Sequence, residues 1–87
     1  MNVAREMTVT GVVQGVGFRP FVYGLATRLG LTGWVLNHSG GVDLHVEGAP
    51  EQVHAFGVAL TAEAPPLARI ERVEVREVAA AGLERFE

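Results

Sequence analysis

The sequence contains no cysteine. Disulfides, thiolate metal ligands and a cysteine nucleophile are therefore excluded, and the redox compartment is left unmarked. Lysine is also absent, since all seven basic residues are arginine. Schiff-base chemistry and the lysine of a nucleotide-binding P-loop go with it. Aromatic residues make up only 7% of the chain, with one Trp and one Tyr, so there is little surface on which bases could stack. The formal net charge is −3, and an acidic surface does not recruit nucleic acid as a whole. No apolar run approaches the roughly 20 residues that span a bilayer. The opening Met1-Asn2-Val3-Ala4-Arg5-Glu6 lacks the apolar segment of a secretory leader. These absences predict a cytoplasmic protein with neither a nucleic-acid nor a membrane partner.

What is present reads as one small domain over residues 1–87. At 48% hydrophobic and 20% charged, the chain can bury a core without covalent staples. Residues 6–13, rich in Val and Thr, predict a first strand. Phe18, Phe21, Val22, Leu25, Ala26 and Leu29 then recur at helical spacing as one apolar stripe, with Gly30 placed to end the helix. Leu31 to Asn37 predicts a second strand, and His38-Ser39-Gly40-Gly41 a hairpin turn. Val42, Leu44 and Val46 alternate with Asp43, His45 and Glu47, the pattern of a strand buried on one face and solvated on the other. Val53, Phe56, Gly57 and Leu60 mark a second helix. Arg69 to Val78 predicts a last long strand, with a slip in its apolar phase between Ile70 and Val73 that suggests a bulge. Ala79 to Gly82 reads as a turn, and Leu83 to Glu87 as a short edge strand. The order β-α-β-β-α-β is the split βαβ arrangement. It predicts an α+β, ferredoxin-like sandwich: an antiparallel sheet with both helices on one face.

The stretch Gln14-Gly15-Val16-Gly17-Phe18-Arg19 joins the first strand to the first helix. Its glycines can turn backbone N–H groups toward one point, and a helix start adds unpaired donors and a partial positive charge. Arg19 supplies a full charge and a planar fork that fits phosphate oxygens. On these residues alone the stretch is either an anion site or ordinary turn chemistry. It is not a Walker loop, since no Gly-Lys-Ser/Thr occurs. Thr10-Gly11 with Gly15 and Gly17 imitates a dinucleotide fingerprint, but the hairpin that follows leaves no room for a doubly wound parallel sheet. His38, His45 and His54 fit no metal spacing and read as surface histidines. Asp43, Glu47, Glu71, Glu74 and Glu77 alternate with apolar residues and read as a solvated sheet face. Asn37 stands apart at the end of the second strand. An asparagine there is a turn former, or an amide that can both donate to and accept from a water molecule.

Gly15-Val16-Gly17-Phe18-Arg19 after a strand, followed by Gly33-Trp34-Val35 and Asn37, resembles the acylphosphatases over nearly the whole chain, from about Met7 to Phe86. Phe18-Arg19-Pro20-Phe21-Val22 together with Pro65-Pro66-Leu67-Ala68-Arg69-Ile70 is similar to a subgroup, the N-terminal domain of the hydrogenase-maturation carbamoyltransferases. The resemblance implies the ferredoxin-like fold and hydrolysis of acyl phosphates, with carbamoyl phosphate favoured. It implies that Gln14, Gly15, Val16, Gly17 and Phe18 form a phosphate cradle with Arg19, and that Asn37 positions the attacking water. No metal or cofactor is implied. The partners expected are the acyl phosphate, inorganic phosphate and further domains of a larger carbamoyltransferase. A stand-alone acylphosphatase and a non-catalytic module that docks carbamoyl phosphate are the alternatives. Pro20 departs from the usual single-domain pattern, and its consequence falls on the choice of substrate.

Overall fold

The computed structural model describes all 87 residues. Its elements are β1 (Val3–Val12), α1 (Phe18–Arg28), β2 (Thr32–His38), β3 (Gly41–Gly48), α2 (Pro50–Ala62) and β4 (Arg69–Val78). The four strands form one antiparallel sheet in the order β2-β3-β1-β4. This is the ferredoxin-like arrangement that the element order predicts. β1 starts earlier than its apolar run suggests, because Val3, Ala4 and Arg5 pair with Gly48, Glu47 and Val46. The partner strand, not the local pattern, sets that end.

Alternation along the strands puts Met7 and Val9 of β1 on the same face as Val42, Leu44 and Val46 of β3. Phe18, Val22, Leu25 and Ala26 of α1 pack there, beside Val53, Phe56, Ala59 and Leu60 of α2, in one continuous core. Both helices therefore cover the same side of the sheet. Each large apolar side chain buried in this way contributes roughly 1.5–3 kcal/mol before the entropy of ordering is set against it. The phase slip in β4 is a bulge. Thr10 pairs with Arg72 and Gly11 with Ile70, which leaves Glu71 without a partner.

The other face of the sheet departs from expectation. Residues 79–83 do not close a turn back along β4. They cross the polar face toward the opposite edge, where the chain runs parallel to β2. There the Gly33 N–H donates to Arg85 O at 3.1 Å, the Val35 N–H to Glu87 O at 3.2 Å and the Glu87 N–H to Gly33 O at 2.9 Å. Phe86, opposite Gly33 in this pairing, is buried and meets the ring of Tyr23 on α1 edge-on at 6.0 Å. The terminal residues so cover part of an otherwise open sheet edge.

This crossing corrects the reading of His45 and Glu47 as solvated side chains. They retain only 4% and 2% exposure. The alternation of β3 is as expected, but the second face is roofed by a segment distant in sequence. Trp34 of β2 also stacks on the His45 ring at 5.7 Å.

Candidate active site

The loop between β1 and α1 is shaped by two left-handed glycines, Gly15 at φ 73° and Gly17 at φ 79°. A side chain at either position would be strained, because Cβ crowds the backbone in that conformation. Gly17 is also the residue before α1, and no side chain caps the helix. Phe21 N–H donates to Gly17 O at 3.2 Å and so begins the helical ladder. The backbone N–H groups from Gln14 to Arg19 donate no turn, loop or cap hydrogen bond. A bent run of unpartnered amides at a helix start concentrates donors and positive potential on a small volume.

That volume is a cavity of about 240 Å³ lined by Val13, Gln14, Gly15, Gly17, Phe18, Arg19, Pro20 and Asn37. The fold thus brings Asn37, at the end of β2, to the loop that opens α1. Of the loop residues named from the sequence, Val16 does not line the cavity. It packs partly against the core and anchors the loop. Phe18 serves both places, with its side chain in the core and its residue at the cavity wall.

Arg19 is exposed and has no carboxylate within salt-bridge distance. Its charge is free for a ligand, unlike that of Arg28, which is paired with Glu63 at 3.1 Å. Asn37 is likewise exposed, and its amide has no hydrogen-bond partner within the protein. A larger hollow of about 480 Å³ lies between the C-terminal residues and β2. Its one cation, Arg85, is held by Glu87 at 2.7 Å, and the carboxylates of Glu84 and Glu87 line the same wall, so the smaller cavity is the better anion site.

The hairpin that carries Asn37 is braced on its polar face. Thr8 Oγ1 donates to Asp43 Oδ1 at 2.8 Å, and His38 Nε2 lies 3.3 Å from the same oxygen without hydrogen-bond geometry. No group of three or more His, Cys, Asp or Glu side chains converges as a metal site requires. His54 is exposed on α2, away from the cavity. No helix is long and apolar enough to cross a membrane.

The family model described as Acylphosphatase matches residues 5–87. The chain belongs to the acylphosphatase family. An acylphosphatase of Nocardioides sp. is 47% identical over 87 residues, with 99% of this chain and 87% of the relative covered. Carbamoyltransferase HypF of Rhizobium leguminosarum bv. viciae is 51% identical over 82 residues, covering 94% of this chain but 10% of the relative. A solved structure, full-length HypF in a phosphate- and nucleotide-bound form, superposes with a TM-score of 0.96 at 38% identity, over 99% of this chain and 11% of that one. The chain therefore spans about a tenth of the length of the carbamoyltransferases it matches.

Two features of this acylphosphatase domain are not visible in its sequence pattern. The first is the polar cluster behind the sheet. His45 Nε2 meets Glu47 Oε2 at 2.7 Å and His45 Nδ1 meets Glu6 Oε2 at 3.0 Å. Which ring nitrogen donates depends on the tautomer of His45. Glu47 also accepts the N–H groups of Ala81 at 2.6 Å, Gly82 at 3.1 Å and Leu83 at 3.3 Å. Burial pushes the Glu47 carboxyl up, but hydrogen bonds from Ala81, His45, Leu83 and Gly82 outweigh it and hold the group below its usual value. The second feature is the Gln14 side chain, whose Nε2 donates to the carbonyls of His38 and Gly41.

Proposed function

We propose that this domain hydrolyses acyl phosphates at the β1–α1 loop, with carbamoyl phosphate as its favoured substrate. One observation carries the reading: unpartnered amides, an unpaired Arg19 and an unpartnered Asn37 line the same small cavity. The amides from Gln14 to Arg19 and the guanidinium hold the phosphoryl oxygens and stabilise the charge they carry in the transition state. The Asn37 amide holds a water in line with the carboxylate leaving group. The water oxygen forms a new bond to phosphorus, and the bond from phosphorus to the acyl oxygen breaks. The carboxylate departs with that electron pair, and a phosphate oxygen takes the water proton. A mixed anhydride has a good leaving group, so no side-chain base is required. Arg19 and the amides supply the positive field without a metal.

The preference for carbamoyl phosphate, and a place in hydrogenase maturation as one domain of a longer carbamoyltransferase, are supported by the relatives named HypF and by the small volume of the cavity. The test is phosphate release from carbamoyl phosphate and acetyl phosphate, compared as kcat/KM. A higher value for carbamoyl phosphate supports the substrate assignment. A preference for bulkier acyl groups points instead to a general acylphosphatase. Binding of either compound without release of phosphate would make the domain a docking module.

A further inference from the structure

The loop and the β2–β3 hairpin meet at the cavity, yet little joins them. Main-chain pairing of β1 with β3 stops at Thr10 opposite Gly41. Beyond that point β1 pairs only with β4, through Val12 and Arg69. Across the gap there are two hydrogen bonds, both donated by Gln14 Nε2. One goes to Gly41 O at 2.8 Å and the other to His38 O. These carbonyls belong to the residues that close the hairpin, since His38 pairs with Gly41. Both acceptors are carbonyl oxygens, so the amide nitrogen must face them and both of its hydrogens are used. The side chain is therefore occupied by the protein and is not a phosphate donor.

His38 is the residue after Asn37. The strut from Gln14 thus starts at the first residue of the amide run and ends one residue from the amide that faces it. We propose that Gln14 is a positioning residue, which fixes the separation between the Asn37 amide and the anion-binding loop. This inference rests on the hydrolytic reading of the cavity and adds a part to it. Binding of phosphate needs only the loop and Arg19. In-line attack needs the loop and Asn37 held at a fixed distance. Loss of the strut should therefore leave binding in place and weaken the chemical step. A misplacement of about 1 Å in such a geometry costs on the order of 10²-fold in rate.

The test is a double-mutant cycle with acetyl phosphate. Gln14→Met keeps the length of the side chain and removes both donors. Gln14→Glu keeps the shape and sets a carboxylate against two carbonyls. Either change should lower kcat by ~10- to 100-fold; in Gln14→Met, which adds no charge beside the anion-binding loop, KM and inorganic phosphate affinity should alter less than about twofold. On an Asn37→Ala background, Gln14→Met should cost less than about twofold, because no oriented water remains to be misplaced. Equal losses from Gln14→Met on both backgrounds, or a Gln14→Met loss carried by KM, would overturn the assignment.

A second readout does not depend on turnover. In nitrogen-15 spectra, phosphate should shift both the Arg19 Nε signal and the Asn37 side-chain amide of the wild type. In Gln14→Met the Arg19 shift should persist and the Asn37 shift should fall away. Persistence of both would refute the role of Gln14. Absence of wild-type hydrolysis would refute the catalytic reading alone and leave this spectral comparison to decide the positioning claim.

Discussion

Replacing Glu47 by Gln changes one atom type in a buried site that accepts four hydrogen bonds. One oxygen receives Gly82 and Leu83, and the other receives Ala81 and His45. An NH2 group in the first position faces two N–H donors, and in the second it faces the Ala81 N–H, so in either place at least one backbone donor loses its acceptor. Hydrogen bonds to charged groups contribute roughly 1.5–3 kcal/mol each and do not add within one network. Leaving a buried donor without an acceptor costs roughly 1–3 kcal/mol more. The expected destabilisation is therefore about 3–4 kcal/mol, or roughly 12–30 °C in Tm at about 4–8 °C per kcal/mol for a domain of this size. The Glu47 carboxyl is held below its ordinary value of 4.5 in the folded state. A lowered folded pKa gives stability that is present above the unfolded value and lost as pH falls through the folded one. The gap in Tm between wild type and Glu47→Gln should be full at pH 7 and should narrow once pH falls below about 4.5. Thermal melts followed by circular dichroism from pH 7 to pH 3 measure both. A variant within about 1 kcal/mol of wild type, or a gap that does not narrow in acid, refutes the view that Glu47 clasps residues 81–83 as a carboxylate.

Arg19→Ala should lose the stabilisation that phosphate gives the wild type, expected at roughly 2.7 kcal/mol when phosphate is at about 100 times its Kd. Chloride at matched ionic strength is the control in these melts, and parallel shifts in the two proteins would show the loop to be only a turn. Arg19→Lys should rescue poorly, since an ammonium lacks the bidentate fork, and a phosphate titration of this variant reads it directly. Gly17→Ala places Cβ in a left-handed conformation and should cost roughly 1–2 kcal/mol in a denaturant melt while weakening phosphate binding. Gly33→Ala should unfold the domain or cost more than about 3 kcal/mol, in the tail of single-residue effects, since its Cβ would lie 1.7 Å from His45 O.

Local pattern carried most of the fold. Phe18, Val22, Leu25 and Ala26 are the buried face of α1 because their spacing is helical, and Val42, Leu44 and Val46 are buried because they alternate. The bulge in β4 was legible as a phase slip. What local pattern could not carry is the face that a distant segment covers. His45 and Glu47 have the alternation of solvated residues, but residues 81–83 return over Glu47 and Trp34 stacks on His45. The same limit applies to the site. Gly15, Gly17 and Arg19 are adjacent in sequence, and their chemistry is visible there. The convergence of Asn37 on them needs the β2–β3 hairpin beside β1, and the strut from Gln14 needs both ends in place. A glutamine beside a glycine carries no signal of the carbonyls it will meet.

In the proposed mechanism Arg19 and the loop amides bind the phosphoryl group while Asn37 directs the water that attacks it. Steady-state phosphate release from acetyl phosphate, measured for wild type and Asn37→Ala together, tests it most directly. The wild type should turn over, and the variant's kcat should be lower by on the order of 10²-fold with KM little changed, since orienting a water acts chiefly in the transition state. A variant that keeps its kcat, or that changes in KM alone, would contradict it.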